Sequence, residues 1–534
     1  MKKHLLWALA LGMSVQAVVA QDRSAQKYAK QISPKYAKKH LSVLASDEFE
    51  GRETGKAGAE KAANYIAAEF KKLGLTAPVN GSYFQEVSLV QGSVEAKSFV
   101  VNNTPLTYGK DFYFSGAPAS KTINTTEIIF IGYGIDSDNY SDLKTADIAG
   151  KLVMVINKGE PMKNGISAVT KTAETSDWTR SRNKRIQYIQ SKNPLAILAV
   201  SPDVADLLEK NGAMIASAAG RLSLKSDKPA AANKNAPVIN IAPSVANQFL
   251  RTTGKTYESL KESIDNQSLP QTQSLNTNVR AVFGQLIKDV KSSNVLGFIE
   301  GTDLKEEVLV ISAHYDHVGL TTSGTDKVNN GADDDGSGTT GVMSLARAYA
   351  KAKKAGKGPR RSILFLAVTG EEKGLLGSEW YSEHPVFPLQ NTVADLNIDM
   401  IGRIGTEYKG KADSANYCYL IGSDKLSTDL HKISENANST YTKMKIDYKF
   451  NDPNDPERIY YRSDHYNFAK HGIPIIFYFN GVHEDYHKPS DEVSKINFPL
   501  LAKRAQLVYY TSWELANRDN RPVVDVKNDM PASR

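Results

Sequence analysis

The chain has 534 residues, 41% apolar and 23% charged, with a formal net charge of +7. That length allows two or more domains with sizeable cores, and that composition excludes large-scale disorder. The charge excess is weak for the size and no block of five like charges occurs, so nucleic acid is excluded as the expected partner.

Residues 1–20 open with Lys2 and Lys3, continue in an apolar stretch and end in Val18-Val19-Ala20 before Gln21. This is the layout of an export leader cut after a small residue. Its apolar part, about 15 residues interrupted by Ser14 and Gln16, falls short of the roughly 20 that span a bilayer. The mature chain is therefore expected in the periplasm or outside the cell, with no membrane span. From Ser33 to Gly74 the pattern is helical, and residues 56–73 place Ala62, Ile66, Phe70 and Leu73 at helical spacing before the stop at Gly74. Strand-like pieces such as residues 83–89 lead on to Tyr113.

Near Ser115 the texture changes. A linker-like run, GAPASKTINTT, is followed by short apolar strands, EIIFIGYGI, KLVMVINKG, LAILAVS and APVINIA, as far as about Ser274. This block has no clustered histidine, so it is expected to serve recognition, to form a lid, or to be a plain structural insertion. Strands return at 294–301 and 308–311, helices are predicted at 337–354, near 425–438 and near 498–517, and a strand at 417–421. The single cysteine, Cys418, lies in that last strand. It allows no internal disulfide and reads as a buried residue, not a nucleophile. Strands alternating with helices give an α/β class with a mostly parallel or mixed central sheet flanked by helices. The expected division is a leader at 1–20, a first catalytic part at 21–114, an inserted β-rich domain at 115–274, a second catalytic part at 275–518 and a polar, frayed tail at 519–534.

Four short segments between Glu306 and Gly402 carry the chemistry: SAHYDHVG at 312–319, GADDDGSG at 331–338, TGEEKGLLGS at 369–378 and LNIDMIGR at 396–403. Three begin where an apolar run ends. Strands of a parallel sheet share one carboxyl edge, which would bring His314, Asp316, Glu371, Glu372 and Asp399 to one place. Carboxylates gathered there repel each other unless a cation neutralises them. GADDDGSG is not a calcium loop of the EF-hand type, since Gly331 and Val342 stand at its two anchoring positions. Mixed imidazole and carboxylate donors suit Zn²⁺.

These segments and DYHKPSDEVSKI at 485–496, in this order and spacing, resemble the co-catalytic di-zinc exopeptidases. That family includes secreted bacterial leucine-type aminopeptidases and glutamate carboxypeptidases. Residues 129–135, IFIGYGI, with the turn and strand at 147–153, resemble a protease-associated domain inserted in many members. The resemblance implies two zinc ions per chain, His314 and Asp399 on one, Glu372 and His487 on the other, and Asp334 bridging them. Asp333 stands where many relatives have Asn, which leaves the bridge open to a shift of one residue. Asp316 would orient the His314 ring, Glu371 would be the general base, and Tyr486 would either help hold the oxyanion or simply pack. His317, His465 and His483 are not expected to be ligands.

The implied activity is removal of N-terminal residues from peptides. A carboxypeptidase is its nearest rival, to be distinguished by whether Arg403, Arg458 or Arg462 reaches the pocket to meet a carboxylate. A glutaminyl-cyclase-like acyltransferase would need only one zinc, and a non-catalytic receptor-type relative would have lost ligands. A serine hydrolase lacks its G-x-S-x-G sign here. Oligomeric state and substrate side chain are not legible.

Overall fold

The computed structural model describes residues 22–144, 146–226 and 235–530. The leader-like segment 1–20 lies outside them. The chain divides into two compact units, residues 1–88 with 291–534, and residues 89–290.

The first unit is built on a sheet of β1 (Leu304–His314), β2 (Arg361–Val368), β3 (Thr392–Ile398), β4 (Tyr417–Ile421), β5 (Lys445–Asp447) and β6 (Ile475–Phe479). The order is β5-β4-β6-β3-β1-β2, with residues 295–299 antiparallel beyond β2. β1, β2, β3 and β6 are mutually parallel, and β4 runs against β6. Both faces are covered, which is why these strands read as near-continuous apolar runs. Leu309, Ile311 and Ala313 enter one core cluster, while Val308 and Val310 enter another. Cys418 is fully buried in the first, as expected.

The longer helices of this unit are α1 (Pro34–Leu44), α2 (Ala57–Leu73), α3 (Gly336–Lys354), α4 (Thr428–Ala437) and α5 (Phe498–Asn517). Ser33 caps α1 by accepting the Tyr36 N–H, with Pro34 at the first turn where no N–H is needed. α2 stops at Gly74, whose φ of 79° permits the left-handed cap. Leu41, Ile66, Phe70, Leu345, Tyr349 and Leu501 bring α1, α2, α3 and α5 into one core cluster with the sheet. The helices and the strand at 417–421 predicted from periodicity all lie within a few residues of those observed. Among the described residues no helix is long and apolar enough to cross a membrane.

The strands of the second unit pair in mixed directions. Leu152–Ile156 pairs in parallel with Ala196–Val200 and with residues 128–130, Ala196–Val200 pairs in parallel with Val238–Ile241, and Phe112–Phe114 closes the edge antiparallel. Helices Arg182–Ser191, Asp203–Ser217, Pro243–Leu250 and Tyr257–Gln267 accompany it. The unit is thus α/β and not β-rich, because Val204, Leu208, Tyr257, Leu260 and Ile264 bury helical stripes. The expected borders at 115 and 274 fall inside it, since Phe99, Val101 and Leu106 upstream and Leu275 to Phe283 downstream belong to its core.

The tail corrects a second expectation, for residues 519–530 are irregular but docked. The Asp525 carboxylate accepts the Thr428 N–H at 2.8 Å at the start of α4, Val526 N–H donates to Leu426 O, and Met530 is buried. Polar composition concealed a helix cap.

One buried histidine sets an acid limit on stability. His465 is fully buried, its Nε2–H donates to Tyr460 O at 2.8 Å, and its Nδ1 has no hydrogen-bond partner among the described residues. Burial pushes its pKa down to about 3. The unfolded imidazole protonates near 6.5, so stability is full above that pH and is lost as pH falls from 6.5 towards 3, by about 1.4 kcal/mol per unit. Urea unfolding of wild type and His465→Phe across that range should show the wild type losing this increment relative to the variant. A constant difference would mean that His465 does not stay neutral.

Candidate active site

The carboxyl ends of β1, β2, β3 and β6 lie along one edge, and each hands a loop to the same place. β1 ends at His314. Its Nδ1–H donates to the Asp316 carbonyl at 3.0 Å, which leaves Nε2 facing the edge. From there Asp334 Oδ1 is 3.3 Å away, Asp399 Oδ2 3.7 Å and Glu371 Oε2 3.9 Å. The expected role of Asp316 is therefore performed by its carbonyl, since its carboxylate lies 3.8 Å from the ring. That carboxylate instead accepts from the Thr54 hydroxyl at 2.7 Å and from the Glu371 N–H at 3.2 Å.

The three aspartates before α3 divide their tasks. Asp333 Oδ1 accepts the Gly402 N–H at 2.6 Å, and its Oδ2 lies 3.2 Å from His483 Nε2. Asp335 Oδ1 accepts the Gly338 and Met400 N–H groups, capping α3. Only Asp334 turns both oxygens to the edge, with Oδ1 towards His314 and Oδ2 at 3.0 Å from His487 Nε2. Asp491 fixes this loop by accepting the Asp333 and Asp334 N–H groups at 2.9 and 3.2 Å.

After β2, Gly370 turns the chain at φ 73°, and Glu371 and Glu372 both face inward. Glu372 Oε1 is 3.1 Å from His487 Nε2 and 3.0 Å from His317 Nδ1. His317, set aside on sequence, thus stands beside the second group, while His465 and His483 lie away from both. Two donor groups result: His314, Asp334 and Asp399, and His317, Asp334 and Glu372 with His487 adjoining.

The electrostatics show what such crowding needs. Burial drives the Glu371 carboxyl well above its usual range, helped by Glu372 and Asp399 and opposed by His314. Burial acts against charge on His487 too, yet Asp334 and Glu372 hold it up to about 10. His314 Nε2, His317 Nδ1, Asp334 Oδ2 and Glu372 Oε1 are buried with no hydrogen-bond partner among the described residues. Buried polar atoms of this kind cost free energy unless something binds them. The donor chemistry and the orphaned atoms fit a pair of Zn²⁺ ions.

Beside the donors is a pocket with Met400, Ile459, Phe477, Phe479 and Val482 as apolar walls and Arg462 and Tyr486 as polar ones. The Arg462 guanidinium donates to the Tyr486 hydroxyl at 3.3 Å, and the Tyr486 ring stacks on His487 with centroids 3.9 Å apart. Arg458 lines the adjoining opening with Arg462. Arg403 pairs instead with Asp485 at 2.8 Å and does not line it.

Sequence reading missed the support from Gly51-Arg52-Glu53-Thr54. Gly51, at φ 64°, lies so close to the loop that a Cβ there would come 2.4 Å from Asn329 O. Arg52, fully buried, donates to the carbonyls of Leu44, Tyr315, Asn330 and Gly331 at 2.7–2.8 Å. Arg52→Met would leave these acceptors unpaired in the interior, and about 3–5 kcal/mol of unfolding free energy should be lost. A urea midpoint equal to wild type would contradict this.

Comparison with known proteins finds several similar chains. Relatives include a probable zinc metalloprotease of Pyrenophora tritici-repentis, 26% identical over 280 residues, covering 46% of this chain and 56% of its own. A probable leucine aminopeptidase of Trichophyton verrucosum is 28% identical over 257 residues, covering 46% and 65%, and aminopeptidase YwaD of Bacillus subtilis is 24% identical over 284 residues, covering 50% and 53%. The chain thus spans between 53% and 65% of the length of these relatives. Among solved structures, an aminopeptidase from Aneurinibacillus sp. strain AM-1 superposes with a TM-score of 0.48 at 17% identity, over 96% of this chain and 100% of the other. Residues 294–512, which hold both donor groups and the general-base candidate, match the model of peptidase family M28.

Proposed function

We propose that the protein is a di-zinc aminopeptidase that removes apolar residues from the N-termini of peptides. The observation that carries this reading is the pair of donor groups sharing Asp334, with Glu371 beside them and an apolar-walled pocket adjoining. His314 and Asp399 would hold one ion, Glu372 and His487 the other, and Asp334 both. Zinc bound there supplies a polarising charge and makes water acidic enough to lose its proton near neutral pH. Glu371 takes that proton and later returns it to the leaving amine. Tyr486, oriented by Arg462, offers its hydroxyl towards the developing oxyanion. Met400, Phe477 and Phe479 receive the terminal side chain.

A carboxypeptidase is the second reading, and Arg462 and Arg458 on the pocket rim favour it, since arginine forks suit a carboxylate. Metal analysis of the mature protein, run alongside hydrolysis of one peptide offered free, N-acetylated and C-amidated, separates the readings. Two zinc ions per chain, with cleavage blocked by acetylation only, is the expected result. Blocking by amidation only would make the enzyme a carboxypeptidase, and one zinc without cleavage would favour cyclase chemistry. The leader-like residues 1–20 support export to the periplasm or beyond, and the IFIGYGI segment supports reading the second unit as a protease-associated domain.

A further inference from the structure

His317 is built into its position with more care than a packing residue needs. Its N–H donates to the Arg52 carbonyl at 3.1 Å, so the end of the HYDH segment is tied to the Arg52 turn. Gly331, at φ 55°, lies against the face of the ring, where a Cβ would come within 2.5 Å of His317 Cδ2. The ring is fully buried, and neither of its nitrogens has a hydrogen-bond partner among the described residues. A buried imidazole left so costs free energy, and such groups call for an explanation.

The geometry supplies one. His317 Nδ1 lies 3.0 Å from Glu372 Oε1 and 3.7 Å from Asp334 Oδ2, and the same two oxygens lie 3.1 and 3.0 Å from His487 Nε2. Donors about 2.1 Å from a tetrahedral ion stand about 3.4 Å from each other, which these separations bracket. His317 Nδ1 and His487 Nε2 thus converge on one carboxylate oxygen, Glu372 Oε1, at 3.0 and 3.1 Å. We infer that His317 is a direct ligand of the second zinc, through Nδ1. This rests on the two-metal reading above and adds to it. The second ion then has four protein donors, His317, Glu372, His487 and the shared Asp334, while the first has three. A site with four protein donors is closed and a site with three keeps a position open. The second ion is thus the tightly held one, and the first is where water and substrate exchange.

Cobalt substitution tests this without relying on activity. Each imidazole bound to Co²⁺ places its remaining N–H proton far outside the ordinary proton NMR range, so such exchangeable signals count histidine ligands. Protein loaded with two Co²⁺ should show three, from His314, His317 and His487, and His317→Gln should show two. The same variant, titrated with a chelator, should lose its tighter metal at ~100-fold lower chelator strength or less, a loss at or beyond the upper end for residues outside the coordination sphere. Two shifted signals in the wild type, or an unchanged count and chelator profile in the variant, would overturn the assignment, and the wild-type count stands even if the variant fails to fold. Wild-type protein that takes up fewer than two Co²⁺ would instead defeat the two-metal reading itself.

Discussion

Glu371→Gln protein should bind as much zinc as the wild type and hydrolyse peptides about 10²–10⁴ times more slowly. The substitution keeps the shape of the side chain and the backbone tie from its N–H to Asp316 Oδ1. It removes only the capacity to accept a proton. Glu371 lies 3.9 Å from His314 Nε2, farther than Asp334 or Asp399, as befits a group beside the donors and not one of them. Metal content and single-turnover rate measured on the same preparation decide the matter. If zinc is lost together with activity, Glu371 is a ligand, and if activity persists, the proton acceptor is elsewhere.

Asp334→Ala should empty both metal positions at once, because its two oxygens face His314 on one side and His487 on the other. Ions bound only by the folded state stabilise it by mass action, by about 4 kcal/mol at a thousand times the dissociation constant. The variant should therefore melt well below zinc-loaded wild type. With chelator present the gap should narrow to what the Asp334 carboxylate contributes by itself through His314 and His487, which hold it ionised. Calorimetry with and without chelator shows both effects. Zinc content equal to wild type would overturn the shared position of Asp334.

The parts of this site legible in sequence were those with a local cause. Apolar runs that end in His314, Glu371 and Asp399 announce parallel strands whose ends share an edge, and the α/β frame followed from the same pattern. What escaped depends on contacts distant in the chain. Nothing local marks Arg52 as an interior donor to four carbonyls, and the polar run around it reads as a loop. His317 escaped because the reading stopped at the family's ligand set, although its place in HYDH was a visible signal. Asp525 escaped because a cap looks no different in sequence from an exposed acid. The borders of the second unit were set too narrowly because its outermost strands, around Val101 and Leu275, have the same texture as the flanking chain.

Arg52 and Thr54 carry a consequence for how the molecule can be divided and assembled. The Arg52 guanidinium meets the Tyr315 carbonyl across 263 positions of chain, and Thr54 meets Asp316 across 262. The segment 294–512 that bears the family's pattern is therefore not an excisable module. During synthesis the first 88 residues emerge with their acceptors still unmade, and the contiguous residues 89–290 can complete a core before the discontinuous unit has both its halves. The donor edge is complete only once residues 52–54 have met residues 315–316 and 330–331.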